Sequence, residues 1–254
     1  RNIKIIISVR DFPWDEPHNS SLQDWVLYTQ NIVIKYYADA LLVHGDEEIL
    51  PLLSDRTRHA NSKSIIDDIE DKIMYTGYVC DEDQPVHSRK NNNIFVSTGL
   101  NKDESVMIFK RIADIASIFP EYNFIMPIAN KYKNIGGRKN KNIFLVEYVP
   151  ELRNKLTDCS AYITYGGYNA TTEILKGRIP SIVIPRQSGQ KLEQFIRAYA
   201  FEPYDYYKVM NFSEITRADK VLETVLNGYT PAKFKFNLKG ASNSAKMICD
   251  IHKR

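Results

Sequence analysis

Ala161-Tyr-Ile-Thr-Tyr-Gly166-Gly167-Tyr-Asn169-Ala-Thr-Thr172-Glu173-Ile-Leu-Lys-Gly177, continued by Ile179-Pro180-Ser-Ile-Val-Ile-Pro185-Arg186, carries the pattern around which the chain is built. It reads as strand, glycine turn, helix, glycine stop and strand. Ala161–Tyr165 is short, apolar and rich in β-formers. Two glycines then allow a tight turn and a close approach of the backbone to something outside it. Asn169 and Thr171-Thr172 fall in the first helical turn, where polar side chains can satisfy free N–H groups. Those N–H groups carry the positive end of the helix dipole and make a natural cradle for an anion. Glu173 lies one turn beyond Asn169 on the same face, and a carboxylate there can accept two hydrogen bonds from a vicinal diol such as a ribose. Spacing alone fits two readings: a nucleotide site, or an ordinary βαβ corner in which Glu173 offsets the dipole.

Outward from this stretch, strand-like and helical patterns alternate. Upstream, Ile94–Ser97, Asn123–Ile128 and Ile143–Val146 read as strands, and Ile108, Ile112, Ile115 and Phe119 form one apolar helical stripe that belongs to the core. Leu152–Thr157 is a short helix. Downstream, Ile182–Ile184 is a strand and Gln190–Ala200 an amphipathic helix. One stripe of that helix, Leu192, Phe195, Ile196 and Tyr199, reads as core. The other, Gln190, Glu193, Gln194 and Arg197, is either solvated or lines a cleft. Arg186, directly after Pro185, is placed to contact a phosphate. Ser213–Leu226 and Ser242–His252 close the chain as helices.

The first part of the chain carries Ile3–Val9, a buried-strand pattern ending in Arg10-Asp11; a helix over Ser21–Tyr37; and Ala40–Val43, a strand ending in His44-Gly45-Asp46. Short helices are read over Glu47–Leu53 and near Ile65–Ile69, and a strand over Ile73–Val79. Polar residues at the carboxyl ends of strands sit where open α/β sheets place their sites. Asp11 and His44 are therefore candidates for a general base, against local structural roles for both. Asp81–Asn93, with charge, a proline and three consecutive asparagines, is a linker. The expected organisation is residues 1–78 as one domain, 79–93 as linker and 94–254 as a second domain. Alternation of strand and helix throughout predicts an α/β fold, with parallel sheets and helices on both faces.

Composition narrows the classes. With 254 residues, 43% hydrophobic and 26% charged, the chain is long enough to bury a sizeable core. Its net charge of +3 is spread along the sequence, which argues against nucleic acid as a partner. No run is long and apolar enough to span a bilayer. Cys80, Cys159 and Cys249 are far apart and read as reduced buried thiols of a cytoplasmic protein. No cluster of aspartates and histidines is read as a metal site.

Gly166-Gly167-Tyr168-Asn169-x-x-x-Glu173, Gly177-x-x-Pro180-x-x-x-x-Pro185-Arg186, then Gln190 and Glu193-Gln194 resemble the donor-binding domain of glycosyltransferase family 28. This group includes the lipid-II-forming N-acetylglucosaminyltransferase of cell-wall synthesis. The resemblance runs from about Lys72 to Lys246. It implies a GT-B-like pair of Rossmann-like domains, the first of them incomplete, and transfer of a sugar from a UDP-sugar such as UDP-GlcNAc to an acceptor hydroxyl. Gly166, Gly167, Asn169 and Thr172 would hold the diphosphate, Glu173 the ribose, and Gln190, Glu193 and Gln194 the sugar hydroxyls. The Ser97–Asn101 turn with Gly99 would lie beside the nucleotide, although it has one glycine where relatives often have more. Tyr148 and Val149 would meet the uracil edge. No cofactor and no metal are implied; the helix dipole serves in place of a divalent ion. The acceptor is unspecified, and either a partner chain or a further segment would complete the first domain. The location implied is the cytoplasm or the inner face of the membrane. A UDP-sugar epimerase or hydrolase, a non-catalytic donor-binding subunit, and an α/β scaffold that binds no nucleotide are the competing classes.

Overall fold

Three short, largely apolar runs build the first sheet. They are β1 (Ile6–Val9), β2 (Ala40–Val43) and β3 (Ile73–Tyr75), parallel in the order β1-β2-β3. β2 is apolar throughout and buried at every residue, as a central parallel strand requires. Helix α1 (residues 32–37) brings Ile34, with Ala38 beyond it, against Leu41, Val43 and Ile69. Lys72 Nζ donates to the carbonyls of Ile34 at 3.2 Å and Ala38 at 3.0 Å, placing a cation on the negative end of α1. The computed structural model describes residues 3–10, 32–49, 69–81, 85–97, 103–127, 140–186 and 192–253, with backbone alone at 103, 104, 192 and 193. Asp11, Gly99 and Gln190, the side chain of Glu193, and the helices expected before residue 32 and near Ile65–Ile69 lie outside these residues.

The second sheet has six strands: β4 (Asn93–Ser97), β5 (Asn123–Pro127), β6 (Ile143–Val146), β7 (Ala161–Thr164), β8 (Ser181–Val183) and β9 (Lys208–Val209). All pairings are parallel, in the order β6-β5-β4-β7-β8-β9. Counted along the chain this is the doubly wound order, and the winding reverses between β4 and β7. At such a reversal a crevice opens outside the carboxyl ends of the strands. Ile94, Val96, Ile163 and Ile182 face a layer built from α2 (Asp103–Ala116) and α6 (Ala218–Leu226), which contribute Ile108, Ile112, Ile115, Leu222 and Val225. Phe95, Tyr162 and Val183 alternate with them along the strands and point the other way. They are buried too, as are Ile174 and Leu175 of α4 (Tyr168–Gly177) and Ala198 and Phe201 of α5 (Leu192–Phe201). A short helix α3 (Leu152–Leu156) precedes β7.

The chain divides into residues 1–82 with 235–254, and residues 83–234. The last helix, α7 (Gly240–Lys253), goes with the first unit, whereas the sequence reading ran the second domain to residue 254. Backbone pairing explains this return. Tyr78 N–H donates to the Asn237 carbonyl at 2.7 Å, Gly240 N–H to the Tyr78 carbonyl at 3.0 Å, and Val79 bridges Lys239. A Cβ on Gly240 would lie 2.5 Å from the Gly77 carbonyl oxygen, so the two segments touch backbone to backbone.

Other differences are local. The helix expected over Ser213–Leu226 is a 3-10 turn, Phe212–Arg217, followed by α6. Asn211 and Glu214 cap its start reciprocally. Residues 47–49 form a turn where a helix was expected. The cysteines are free, but only Cys159 is buried and Cys249 is exposed, so the expectation of three buried thiols fails.

Candidate functional site

The Gly166-Gly167 turn leaves β7 at the reversal of strand order and feeds α4. Gly166 has φ of 70°, in the left-handed region, and a Cβ there would lie 2.6 Å from Val183 Cγ1. Both conformation and space therefore require glycine. Gly167 is the N-cap of α4, with no side chain capping the helix, and a Cβ on it would meet nothing within 4 Å. Helical bonding begins with Thr171 N–H to the Gly167 carbonyl at 2.9 Å, so the amides before it have no acceptor inside the helix. The expected capping by Asn169 and the threonines is not formed. Asn169 is exposed, Thr172 Oγ1 donates back to the Asn169 carbonyl at 2.9 Å, and Thr171 Oγ1 to the Gly166 carbonyl at 3.2 Å. These hydroxyls spend their protons on carbonyls, and the N-cap, being glycine, brings no capping side chain of its own. Gly177 is the last helical residue, and the left-handed stop is Arg178, at φ 53°.

Glu173 is half-buried and pairs with Arg153 of α3, Nε to Oε1 at 3.5 Å. Burial pushes its carboxyl above the usual range; the Arg153 charge and hydrogen bond oppose this without cancelling it. Arg186 stacks its guanidinium on the Tyr165 ring, 4.3 Å from the centroid, and the Tyr165 hydroxyl meets Ser105 Oγ of α2 at 3.2 Å. On α5 the buried face differs from the expected one. Phe195, Ile196 and Tyr199 are half-buried, and Phe195 and Tyr199 pack on each other at 4.5 Å. Arg197, Ala198 and Phe201 are buried. Gln194 Oε1 is enclosed without a hydrogen-bond partner, and Arg197 Nη1 donates to the Gly166 carbonyl at 2.8 Å. On the polar stripe of α5 it is Arg197 that meets the glycine turn.

Tyr148 and Val149 line one end of a cavity of about 680 Å³ on the sheet face of β4–β6, floored by Phe95, Ile125, Phe144 and Val146. Val149 is buried and Tyr148 is 73% exposed. The same turn leads through Pro150 into α3, which carries Arg153 to Glu173. The structure thereby links Tyr148-Val149, Glu173, the glycine turn, Arg186 and Gln194 within the second unit.

His44 lies in the first unit. Its Nε2 meets Ser8 Oγ at 2.7 Å and its Nδ1 meets Thr76 Oγ1 at 2.8 Å, so three adjacent strands hold the ring. Burial holds its pKa below the ordinary histidine value. Among the described residues no group of three or more His, Cys, Asp or Glu is placed to hold a metal ion, and no helix is long and apolar enough to cross a membrane. Arg153, Tyr165 and Arg197 were not singled out from the sequence as site residues. Only Arg197 left a signal, three residues after Gln194 on the polar stripe.

Comparison with known structures agrees with this architecture. The glycotransferase of kitacinnamycin is 12% identical with a TM-score of 0.53, over 92% of this chain and 60% of that one. MurG of Acinetobacter baumannii is 10% identical with a TM-score of 0.52, over 92% of this chain and 78% of that one. UDP-glucose:anthocyanidin 3-O-glucosyltransferase, solved in complex with UDP, is 14% identical with a TM-score of 0.57, over 94% of this chain and 59% of that one. The chain spans less than two thirds of the first and third of these, and at such identities the likeness establishes the GT-B-like fold alone. A search of curated proteins finds no match. The model of the glycosyltransferase family 28 C-terminal domain matches residues 78–254, and the chain belongs to that family.

Proposed function

We propose that this chain supplies the sugar-donor half of a glycosyltransferase, holding a UDP-sugar, UDP-GlcNAc or a similar hexose, at the carboxyl ends of β4 and β7. The observation that carries the reading is the Gly166-Gly167 turn. It sits where the strand order reverses and opens a helix whose N-cap is a glycine, with no capping side chain of its own. The first amides of that helix and the dipole behind them suit a diphosphate, and in this reading they stabilise it as it leaves. Glu173 takes the ribose diol, Tyr148 and Val149 the base, Arg186 a phosphate oxygen, and Gln194, with Gln190 and Glu193, the sugar hydroxyls. The bond from the anomeric carbon to the diphosphate oxygen breaks, and one to the acceptor oxygen forms. The acceptor proton passes to a general base, for which Asp11 and His44 are the nominees. The chemistry asks for no metal in this scheme.

A thermal-shift titration with UDP, UDP-GlcNAc, UDP-glucose, dTDP and ADP, with and without chelator, tests the reading. A ligand that binds only the folded state raises stability by RT ln(1 + [L]/Kd). Uridine compounds should raise Tm with no effect of chelator. No shift with any nucleotide overturns the proposal.

A second reading, a donor-binding subunit that receives its base from elsewhere, is favoured by the engagement of both His44 ring nitrogens. Turnover of UDP-sugar by the isolated chain, with water or simple alcohols as acceptor, decides against it.

A further inference from the structure

We propose that Arg197 is a positioning residue for the diphosphate, acting through the carbonyl of Gly166; the inference rests on the nucleotide reading of the glycine turn. Arg197 is 7% exposed, and its guanidinium lies 5.7 Å from the Tyr168 ring centre while Nη1 reaches the Gly166 oxygen. That oxygen receives a second hydrogen bond from Thr171 Oγ1. Two donors take up both lone pairs of one carbonyl oxygen. The peptide that joins Gly166 to Gly167 is planar and trans, so its N–H points opposite to its C=O. Drawing the oxygen toward the buried guanidinium therefore turns the Gly167 N–H away from it, outward with the other open amides of the α4 start. The same pull removes from the cradle a carbonyl oxygen that would repel a phosphate. Gly166 at φ 70° has the backbone freedom to adopt this orientation, and the two bonds select it. Arg197 also fastens α5, which carries Gln194, to the turn, so the surfaces assigned to diphosphate and to sugar are set by one side chain.

The test compares UDP with uridine, which lacks the diphosphate, on the whole chain by calorimetry. Arg197→Met keeps most of the side-chain bulk and removes the donors. It should weaken UDP roughly tenfold or more, the size of a lost hydrogen bond to a charged group, with uridine affinity within about twofold. Arg197→Lys, which restores one donor, should recover part of the loss. A purely structural role would lower Tm and leave the UDP-to-uridine ratio unchanged, and that outcome in a folded variant overturns the proposal. A measurement on the wild-type chain stands independently of how the variants fold. With glycine labelled by ¹⁵N, UDP should shift the Gly167 amide strongly and uridine should not; a Gly167 amide indifferent to UDP also overturns it. Wild-type chain that binds no UDP overturns the nucleotide reading itself, whereas UDP binding that ignores Arg197 removes only this inference.

Discussion

Gly166 and Gly167 are adjacent and identical, yet the structure asks different things of them. Gly166 is glycine for the fold, by its positive φ and by Val183 at 2.6 Å from an added Cβ. Gly166→Ala should cost about 1–3 kcal/mol of stability, measured by denaturant unfolding. Gly167 has an ordinary φ of −59° and open space beside it. Gly167→Ala should therefore leave stability within about 1 kcal/mol. If a phosphate approaches the backbone there, the same variant should lose UDP affinity; unchanged affinity would mean that this glycine serves no ligand. Glu173 separates stability from function in another way. Its folded pKa is raised above the unfolded value of 4.5, so the folded state binds more protons than the unfolded state between the two. Stability then falls as pH rises through that window. Glu173→Gln lacks this loss, and its ion pair with Arg153 is too exposed to offset it. The Gln variant should gain in Tm over wild type as pH rises through the Glu173 titration, while UDP affinity drops by about 1–3 kcal/mol.

Helix α5 shows what a periodic pattern can and cannot say. Its existence was legible from the 3.6-residue repeat, but its buried face was not. Large apolar residues at 192, 195, 196 and 199 suggested the core side. The buried side instead uses Ala198 and Phe201, with Arg197 bonded to the glycine turn and Gln194 Oε1 enclosed. Size misled: a small alanine lets the helix approach closely, and an arginine is tolerated inside because a carbonyl awaits it. Phe201, fully buried against Tyr206, Tyr207 and Phe234, should cost about 3–5 kcal/mol when cut to alanine. Phe195→Ala should cost clearly less; equal losses would restore the face expected from the sequence. The strands were easier to read, because central parallel strands are continuous apolar runs, as in β2, β4 and β7. β9 has two residues and no such run, and went unread. The glycine turn, Glu173 and Gln194 were legible because their residue types are unusual at those spacings. Arg153 was not, since its meeting with Glu173 depends on where α3 lies relative to α4.

Across the whole chain, the least legible feature is the return of residues 235–254 to the first unit. It rests on Gly77 and Gly240, whose backbones touch across a long separation in sequence, and no local pattern announces such a pair. Gly240→Val places side-chain atoms where the Gly77 and Tyr78 backbone lies. Hydrogen exchange should then show protection lost at the Tyr78 and Gly240 amides and kept in β4, β7 and β8. Protection lost equally in both units would mean that they unfold as one.

The same pairing sets an order in time. Val79 finds its partner only at Lys239, so 160 further residues must be made before the pair can form. At about 5–20 residues per second, a ribosome takes roughly 8 to 32 s over that interval. Most of residues 83–234 are made within it, while the Tyr78 N–H and carbonyl still wait for Asn237 and Gly240. The unit that brackets the insert is therefore the last to close, and a chaperone serving this chain would have most to guard at its earlier-made piece.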